Sequence, residues 1–228
     1  MIEILLLDLD DTILDFAATE RKSMTRFLLA HEIEPTEEVL QRYHQINLEL
    51  WLALERGELN RDEVGSRRFE LLFAELGIQA DPLVCENMYR QFLAEGDDVL
   101  PGAVEAVKQL AGKYRLFAAS NSTLSIQEGR LRSTGLRQYF EDVFVSEGLE
   151  AYKPSMNFFR QVFERIPNFD PEKAMMVGDS LTSDMLGGTN AGIATCWINP
   201  KHKPGREGIR VNHEIESIAQ LSALLEEL

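Results

Sequence analysis

A short apolar run at the start of the chain passes directly into an acidic turn: Ile2-Glu3-Ile4-Leu5-Leu6-Leu7-Asp8-Leu9-Asp10-Asp11-Thr12. The run from Ile2 to Leu7 is too short for a helix and ends in turn-forming residues, which predicts a buried strand followed by a loop. Four later segments share this character and are also predicted to be strands: residues 115–120, 142–146, 174–178 and 194–198.

Helical patterns separate these predicted strands. Ala103, Val107 and Leu110 are spaced by four and three residues, and comparable apolar spacings begin at Phe158 and at Ile218. Strands that alternate with helices pair in parallel through right-handed crossovers. The sequence therefore predicts an α/β fold, with a parallel sheet that carries helices on both faces.

A long segment after the first strand has a different pattern, because it contains no convincing strand. Its apolar residues follow helix faces, and Gly77 would end one of these helices. Two such faces are Val39, Tyr43, Ile46, Leu50 and Leu54, and then Phe69, Leu72, Phe73 and Leu76. We therefore predict a helical domain of residues 15–97, inserted into a core made of residues 1–14 and 98–228.

The composition limits the classes of function. The chain has 228 residues, 44% of them hydrophobic, and a formal net charge of −15, so it can bury a core but repels polyphosphate backbones and anionic membranes. We therefore expect neither nucleic acid nor a membrane as a partner.

The two cysteines, Cys85 and Cys196, lie far apart and outside any CxxC motif. No segment resembles a secretory signal, so reduced thiols and a cytoplasmic location are expected.

Two acidic loops follow predicted strands. Asp8 and Asp10 come after the first strand, and Asp179 and Asp184 come after the fourth. Loops at the carboxyl ends of parallel strands form ligand sites, and Mg²⁺ prefers carboxylate oxygens together with phosphate and water. Each loop alone has another explanation, an Asx turn in the first and an N-cap at Ser183 or Asp184 in the second. Together the loops favour a metal site.

Two weaker signals concern phosphate binding. The strand at residues 115–120 ends in Ser120-Asn121, which offers a hydroxyl and backbone N–H groups at a predicted helix start. That arrangement binds phosphate oxygens, although such residues are also ordinary turn formers. Lys153 follows the third strand and precedes Pro154, which stiffens its flank. A lone lysine is otherwise most often a solvated surface residue.

The four loops together resemble the haloacid dehalogenase-like hydrolase superfamily. The family motifs match, in family order, the segment Asp8-Leu9-Asp10-Asp11-Thr12, then Ser120, Lys153, and Gly178-Asp179 with Asp184 downstream. This resemblance covers essentially the whole core and implies a Rossmann-like sheet. The inserted helical segment looks like the family's type-1 cap. Asp11 stands where many relatives have Gly.

The resemblance also implies a mechanism. Asp8 would attack phosphorus and form an aspartyl-phosphate, and Asp10 would protonate the leaving oxygen and then activate water. Ser120, the N–H of Asn121 and Lys153 would bind the phosphoryl oxygens, over which the charge of the transition state is spread. The enzyme implied is a phosphoric monoester hydrolase.

The cofactor that the resemblance implies is Mg²⁺. Its ligands would be Asp8, the backbone carbonyl of Asp10 and Asp179, while Asp184 would bind it directly or orient its partners. Dehalogenases of the same family need no metal and lack the carboxylate that matches Asp10, so Asp10 and Asp179 favour phosphate chemistry. A phosphoryl-transferring mutase and a binding protein without turnover are the further alternatives.

The expected substrate is a small phosphorylated metabolite. The opening segment 8–16, the length of the insert and Ser120-Asn121-Ser122 resemble the noncanonical pyrimidine 5′-nucleotidases, which implies pyrimidine nucleoside monophosphates. A sugar phosphate or phosphoglycolate is the alternative, and the sequence leaves the oligomeric state open. Aromatic residues of the insert could stack on a base, although residues at helical spacing more often form a core: Phe16, Trp51, Phe69 and Phe92.

Overall fold

A parallel β-sheet is the framework of the larger structural unit. The computed structural model describes residues 1–228, apart from the side chain of Glu55. The strands of the sheet are β1 (Ile4–Leu7), β2 (Arg115–Ser120), β3 (Asp142–Val145), β4 (Ala174–Gly178), β5 (Ala194–Ile198) and β6 (His213–Ile215). They lie in the order β3-β2-β1-β4-β5-β6, and each neighbouring pair is parallel. The predicted α/β fold class is confirmed.

The strand β6 is not among the predicted strands. It has only three residues, two of which are His213 and Glu214, so it lacks the apolar run that marks the other strands. It is held by pairing with β5 at the edge of the sheet, which local sequence does not reveal. Two predicted limits also differ slightly, since β1 begins at Ile4 and β3 ends at Val145.

Alternate residues of each strand pack on opposite faces of the sheet, as the pleat requires. Leu5 and Leu7 belong to one buried cluster, whereas Ile4 and Leu6 belong to a second cluster. Both faces are therefore apolar and covered, which is typical of parallel sheets. The helices of this unit are α5 (Ala103–Ala111), α6 (Leu124–Ser133), α7 (Ser146–Leu149), α8 (Met156–Arg165), α9 (Leu186–Ala191) and α10 (Leu221–Glu226).

The chain divides into two compact units. One consists of Met1–Phe16 with Asp97–Leu228 and contains the sheet; the other consists of Ala17–Gly96. The helices of this second unit are α1 (Phe16–Ala30), whose first residue belongs to the larger unit, α2 (Glu37–Glu55), α3 (Arg61–Leu76) and α4 (Pro82–Ala94). The role of this unit as a cap stays a prediction. Within the described residues, no helix has both the length and the apolar character that a bilayer span needs.

Aromatic rings form the core of the helical unit. Phe69 is fully buried, and its ring centroid lies between 4.8 and 6.1 Å from those of four other rings: Phe27, Tyr43, Phe73 and Tyr89. A ring enclosed in this way has no free face for a ligand. Phe69 is therefore a core residue, as its helical spacing favours, and does not stack on a base.

The ends of α3 follow from its flanking residues. At the start, the side chain of Asn60 accepts from the backbone N–H of Glu63, whose carboxylate accepts from the backbone N–H of Asn60. This reciprocal pair satisfies two donors that a helix start leaves open. At the other end, Gly77 has a φ of 67°, in the left-handed region that glycine tolerates best. The predicted C-cap at Gly77 is confirmed.

Candidate active site

The carboxyl ends of β1, β2 and β4 lie side by side, because β1 pairs with both of the other strands. Asp8 follows β1 directly, Ser120 ends β2, and Asp179 follows β4. Parallel pairing thus gathers at one edge of the sheet three side chains that are far apart in sequence. This is the edge where parallel sheets bind ligands.

Three carboxylates form a cluster at this edge. Oxygens of Asp8, Asp179 and Asp184 all lie within 4.8 Å of one another, with Asp8 and Asp184 buried and Asp179 half-buried. Burial raises the pKa of Asp8 to about 8; Lys153 opposes the rise, and Asp184 adds to it. Burial, followed by the charges of Asp8 and Asp184, also raises the pKa of Asp179 well above its usual range. Together these carboxylates resist full ionisation unless positive charge lies among them.

The ammonium of Lys153 supplies one positive charge to the cluster. Its Nζ donates to Asp8 Oδ1 at 2.7 Å, to Asp184 Oδ1 at 2.6 Å and to the carbonyl oxygen of Ala119 at 2.6 Å. These bonds use all three of its hydrogens. Only 2% of the residue is exposed, and burial lowers its pKa, but the carboxylates of Asp184 and Asp8 outweigh burial and raise that pKa above its usual value. Lys153 is therefore a buried member of the site and not a solvated surface residue.

The backbone of Lys153 is held by the loop after β2. The side-chain amide of Asn121 donates to the carbonyl of Lys153 at 3.0 Å and accepts from its N–H at 2.8 Å. The same amide donates to Ser183 Oγ at 3.3 Å. The side chain of Asn121 therefore fixes the position of Lys153, while the role predicted for Asn121 concerns its backbone N–H.

Gly178 lets the acidic loop after β4 fold back on itself. A Cβ atom at this position would lie 2.2 Å from Oδ2 of Asp184, so the requirement for glycine comes from this close approach. The same Oδ2 accepts from the backbone N–H of Ser180 at 3.1 Å. The hydroxyl of Ser180 accepts from the backbone N–H of Ser183 at 3.2 Å. Ser180 is therefore the N-cap of a helical turn, Leu181–Met185, that precedes α9. The assignment of that role to Ser183 or Asp184 is wrong.

The carboxylate of Asp10 lies apart from the acidic cluster. Its Oδ2 accepts from Gln127 Nε2 at 2.7 Å, and its Oδ1 accepts from Nη1 of Arg130. Both donors come from α6. Asp10 therefore has a cationic partner of its own, although its charge still adds to the rise in the pKa of Asp8.

Ser120 lies in the same network. The residue is almost fully buried. Its Oγ accepts from Gln127 Nε2 at 3.0 Å and from the backbone N–H of Ser122 at 3.1 Å. A serine hydroxyl has two acceptor positions and one hydrogen to donate. With both acceptor positions filled, the hydroxyl of Ser120 is left with its hydrogen as the group that can meet a ligand oxygen.

The neighbours of Asp8 and Asp10 shape the first loop. The hydroxyl of Thr12 donates to Asp8 Oδ2 at 3.4 Å. Asp11 has a φ of 57°, a left-handed value that aspartate, asparagine and glycine tolerate better than other residues. Its carboxylate accepts from the backbone N–H of Phe16 at 3.2 Å. Burial, and then the charge of Asp10, raise the pKa of Asp11 to about 6.

The donor set suits a hard divalent cation. Mg²⁺ prefers oxygen ligands, and the cluster of Asp8, Asp179 and Asp184 offers three carboxylates in close proximity. One ammonium, that of Lys153, lies against two of these carboxylates. The fully ionised cluster therefore carries excess negative charge, which a divalent cation would balance.

Comparison with known proteins agrees with this geometry. A family model described as haloacid dehalogenase-like hydrolase matches residues 2–192. The chain belongs to this hydrolase family. It is 41% identical to YfnB of Bacillus subtilis (strain 168) over 97% of this chain and 94% of that protein. A crystal structure of YfnB bound to magnesium has a TM-score of 0.93, with 40% identity and 98% of each chain covered.

Two further relatives have names that state an activity. The pyrimidine 5′-nucleotidase PynA of Streptococcus pneumoniae (strain ATCC BAA-255 / R6) is 37% identical over 95% of this chain and 92% of that protein. The pyrimidine 5′-nucleotidase YjjG of Escherichia coli (strain K12) is 32% identical over 96% of this chain and 95% of that protein. This hydrolase is therefore similar to nucleotidases along nearly its whole length.

Sequence patterns do not indicate every residue of the site. Gln127 and Arg130 contact Asp10 across separations of 117 and 120 residues, and Trp197 Nε1 donates to the carbonyl of Asp179 at 2.8 Å. The one available signal is the spacing of Gln127 and Arg130, which places two long polar side chains on one face of the helix that follows Ser120.

Replacement of Gly178 by alanine tests the close approach at Asp184. We expect Gly178→Ala to lower the free energy of unfolding by about 1–3 kcal/mol, because the new methyl group forces Asp184 out of its place. The measurement is chemical denaturation. Gly205→Ala is the matched control, because a Cβ atom at Gly205 meets no atom within 4 Å. Equal stability of the two variants would contradict the assigned role of Gly178.

Proposed function

We propose that this hydrolase is a Mg²⁺-dependent phosphomonoesterase that acts through an aspartyl-phosphate on Asp8. The proposal rests above all on one observation, the buried cluster in which Lys153 and three carboxylates meet at the carboxyl edge of the sheet. Beside that cluster, a further carboxylate, that of Asp10, has its own partners. Two aspartates in such different surroundings suit two different chemical roles.

The residues present fit the metal that the family resemblance implies. Asp8, Asp179 and the backbone carbonyl of Asp10 would hold Mg²⁺, and Asp184 lies close enough to join them or to orient a ligand water. When bound, the cation neutralises charge, so that an anionic carboxylate can meet an anionic phosphate ester. The carboxylates and carbonyl are all oxygen donors, which suits Mg²⁺ better than a softer metal.

Asp8 and Asp10 divide the chemistry between them. A carboxylate oxygen of Asp8 forms a bond to phosphorus as the bond from phosphorus to the ester oxygen breaks, and Asp10 donates its proton to that oxygen. Asp10 then accepts a proton from water, whose oxygen attacks phosphorus and releases phosphate from Asp8. The contacts of Asp10 with Gln127 and Arg130 support this division, because they give the second carboxylate partners that differ from those of the first.

Three groups would bind the phosphoryl oxygens. Lys153 provides a positive charge beside Asp8, Ser120 has a hydroxyl hydrogen to donate, and Asn121 provides its backbone N–H. Groups that bind charge in this way act best when they are fixed before the substrate arrives. The hydrogen bonds that hold Lys153 and Ser120 in place supply that rigidity.

Within the family, the main alternative activity is that of a haloacid dehalogenase. The family resemblance implies that dehalogenases lack the carboxylate that matches Asp10 and need no metal. This chain has Asp10 in a defined hydrogen-bond network and Asp179 in an acidic cluster. Both features favour a phosphate ester as the substrate.

The substrate that we propose is a pyrimidine nucleoside 5′-monophosphate. The support comes from PynA and YjjG, two relatives named pyrimidine 5′-nucleotidases that match nearly the whole chain. The acidic protein disfavours nucleic-acid ends, whereas a mononucleotide needs only local compensation of its charge. Glyceraldehyde 3-phosphate phosphatases are more distant relatives, at 27% identity or less, so another small phosphorylated metabolite is the second candidate.

Removal of the attacking charge tests the nucleophile. We expect Asp8→Asn to lower kcat/KM for p-nitrophenyl phosphate by at least ~10³-fold, because the nucleophile and a metal ligand are lost together. Asp142→Asn, at an exposed position of β3, is the control and keeps wild-type activity. Near-normal turnover by Asp8→Asn, or full activity of the wild type in EDTA, would refute the mechanism.

The two aspartates after Leu9 differ in their expected importance. Asp10→Asn removes the proton donor, so we expect a ~10²–10⁴-fold loss in kcat. Asp11→Asn keeps an oxygen that can accept from Phe16 and keeps tolerance of a positive φ, so its loss is much smaller. Steady-state kinetics of both variants make the comparison, and equal losses would show that the roles in this loop are misassigned.

A panel of phosphate esters tests the substrate class. We expect UMP, dUMP and dTMP to be hydrolysed with similar kcat/KM, because apolar and stacking contacts separate near-isosteres by only ~1–3 kcal/mol. AMP, a sugar phosphate and phosphoglycolate, assayed on the same preparation, complete the panel. If a sugar phosphate or phosphoglycolate exceeds every nucleotide by about tenfold, which is roughly 1.4 kcal/mol, the nucleotidase proposal fails and the phosphatase proposal stands.

A further inference from the structure

Arg130 is a fully buried cation that faces the proposed acid–base residue. Its side chain has no exposed surface, whereas the side chain of Asp10, to which its guanidinium donates, is 28% exposed. A guanidinium away from water needs a charged partner to offset its lost hydration. Asp10 is that partner, so the position of the guanidinium and the orientation of the carboxylate determine each other.

Gln127 holds the second oxygen of the same carboxylate. It lies three residues before Arg130 on α6 and is fully buried, and its Nε2 donates to Asp10 Oδ2 at 2.7 Å. Residues at this spacing share one face of a helix. Each oxygen of Asp10 therefore has a donor from the same face of α6, which fixes the plane of the carboxylate as well as its position.

The Nε2 atom of Gln127 also connects Asp10 with Ser120. It donates to Ser120 Oγ at 3.0 Å, and the backbone N–H of Ser122 fills the other acceptor position of that hydroxyl. The hydrogen of Ser120 must then point away from both donors. One helix face thus orients the carboxylate that would transfer the proton and the hydroxyl that would bind the phosphoryl group.

We infer that Gln127 and Arg130 form a positioning pair for catalysis, which aims Asp10 at the leaving oxygen and Ser120 at the phosphoryl group. The inference rests on the proposed phosphatase function, in which Asp10 is the general acid. Neither residue touches the reacting atoms. A residue that acts only through a general acid affects poor leaving groups most, because good leaving groups depart without much proton transfer.

Two aryl esters give a readout that a purely structural role would not change. Phenolate is a poorer leaving group than p-nitrophenolate, so the ratio of kcat/KM for p-nitrophenyl phosphate to kcat/KM for phenyl phosphate reports help from the acid. Any loss of folded enzyme lowers both constants equally and leaves the ratio unchanged. The test also does not depend on which natural ester is the substrate.

The variants for this test are Arg130→Met and Gln127→Met, with Arg132→Met as the matched control. Arg132 lies on the same helix, but its side chain is 73% exposed and pairs with Glu128. Within the described residues, Oε1 of Gln127 is a buried acceptor with no hydrogen-bond partner. Its replacement by methionine therefore removes an uncompensated polar atom, and we expect Gln127→Met to fold even if Arg130→Met does not.

We expect the ratio to rise by ~10-fold in Arg130→Met, to rise also in Gln127→Met, and to stay at the wild-type value in Arg132→Met. Arg130→Lys, which keeps the charge, should restore part of the loss. The double variant Asp10→Asn/Arg130→Met should be scarcely slower than Asp10→Asn alone, because residues that act as a unit are not additive.

Two outcomes would contradict the positioning role, and only one of them would also refute the phosphatase proposal. If the wild type hydrolyses both esters in a Mg²⁺-dependent way but the ratio changes by less than about threefold in Gln127→Met and in every folded Arg130 variant, the positioning role is overturned and the phosphatase proposal stands. If the wild type hydrolyses neither ester with Mg²⁺, the proposed function itself is refuted, and the inference is refuted with it.

Discussion

The rest of the site depends on the ion pairs that one buried ammonium, that of Lys153, makes with two carboxylates. Lys153 lies between Asp8 and Asp184 and has almost no exposed surface, so its charge and theirs must be satisfied inside the protein. Loss of one member of such a group leaves the others buried and uncompensated, which is far more costly than loss of an exposed ion pair. Several features keep the ammonium in place, including the amide of Asn121 and the close approach that Gly178 allows.

Two aspartates of the loop after β1, Asp8 and Asp10, have different charged partners. Asp8 belongs to a cluster with surplus negative charge, whereas Asp10 is paired with Arg130 and bonded to Gln127. Residues of one type, two positions apart, thus meet different electrostatic surroundings. A nucleophile and a proton donor need different surroundings, and a divalent cation among the three carboxylates would favour the ionised form of Asp8. The sheet creates the difference by placing β2 and its following helix on one side of β1 and β4 on the other.

The limits of sequence reasoning have physical causes. Short apolar runs that end in acidic or hydroxylic residues predict β1, β2 and β4 and the residues at their ends, because burial and turn chemistry are local. The strand β6 lacks such a run and depends on pairing with β5. The bonds from Gln127 and Arg130 to Asp10 cross more than a hundred residues and depend on where α6 packs in the fold. Glycine at position 178 is visible in the sequence, but its reason, contact with Asp184, requires the fold.

The buried cluster carries surplus negative charge, and we propose above all that a divalent cation balances this charge. Titration calorimetry with MgCl₂ tests it most directly, on the wild type, on Asp179→Asn and on Asp142→Asn, whose substitution lies on the exposed end of β3. Asp179 is chosen because it belongs to the cluster, whereas Lys153 donates to the other two carboxylates, those of Asp8 and Asp184. We expect one Mg²⁺ to bind per chain in the wild type and in Asp142→Asn, and binding to be greatly weakened in Asp179→Asn. Absence of binding to the wild type, or unchanged binding to Asp179→Asn, would contradict this proposal.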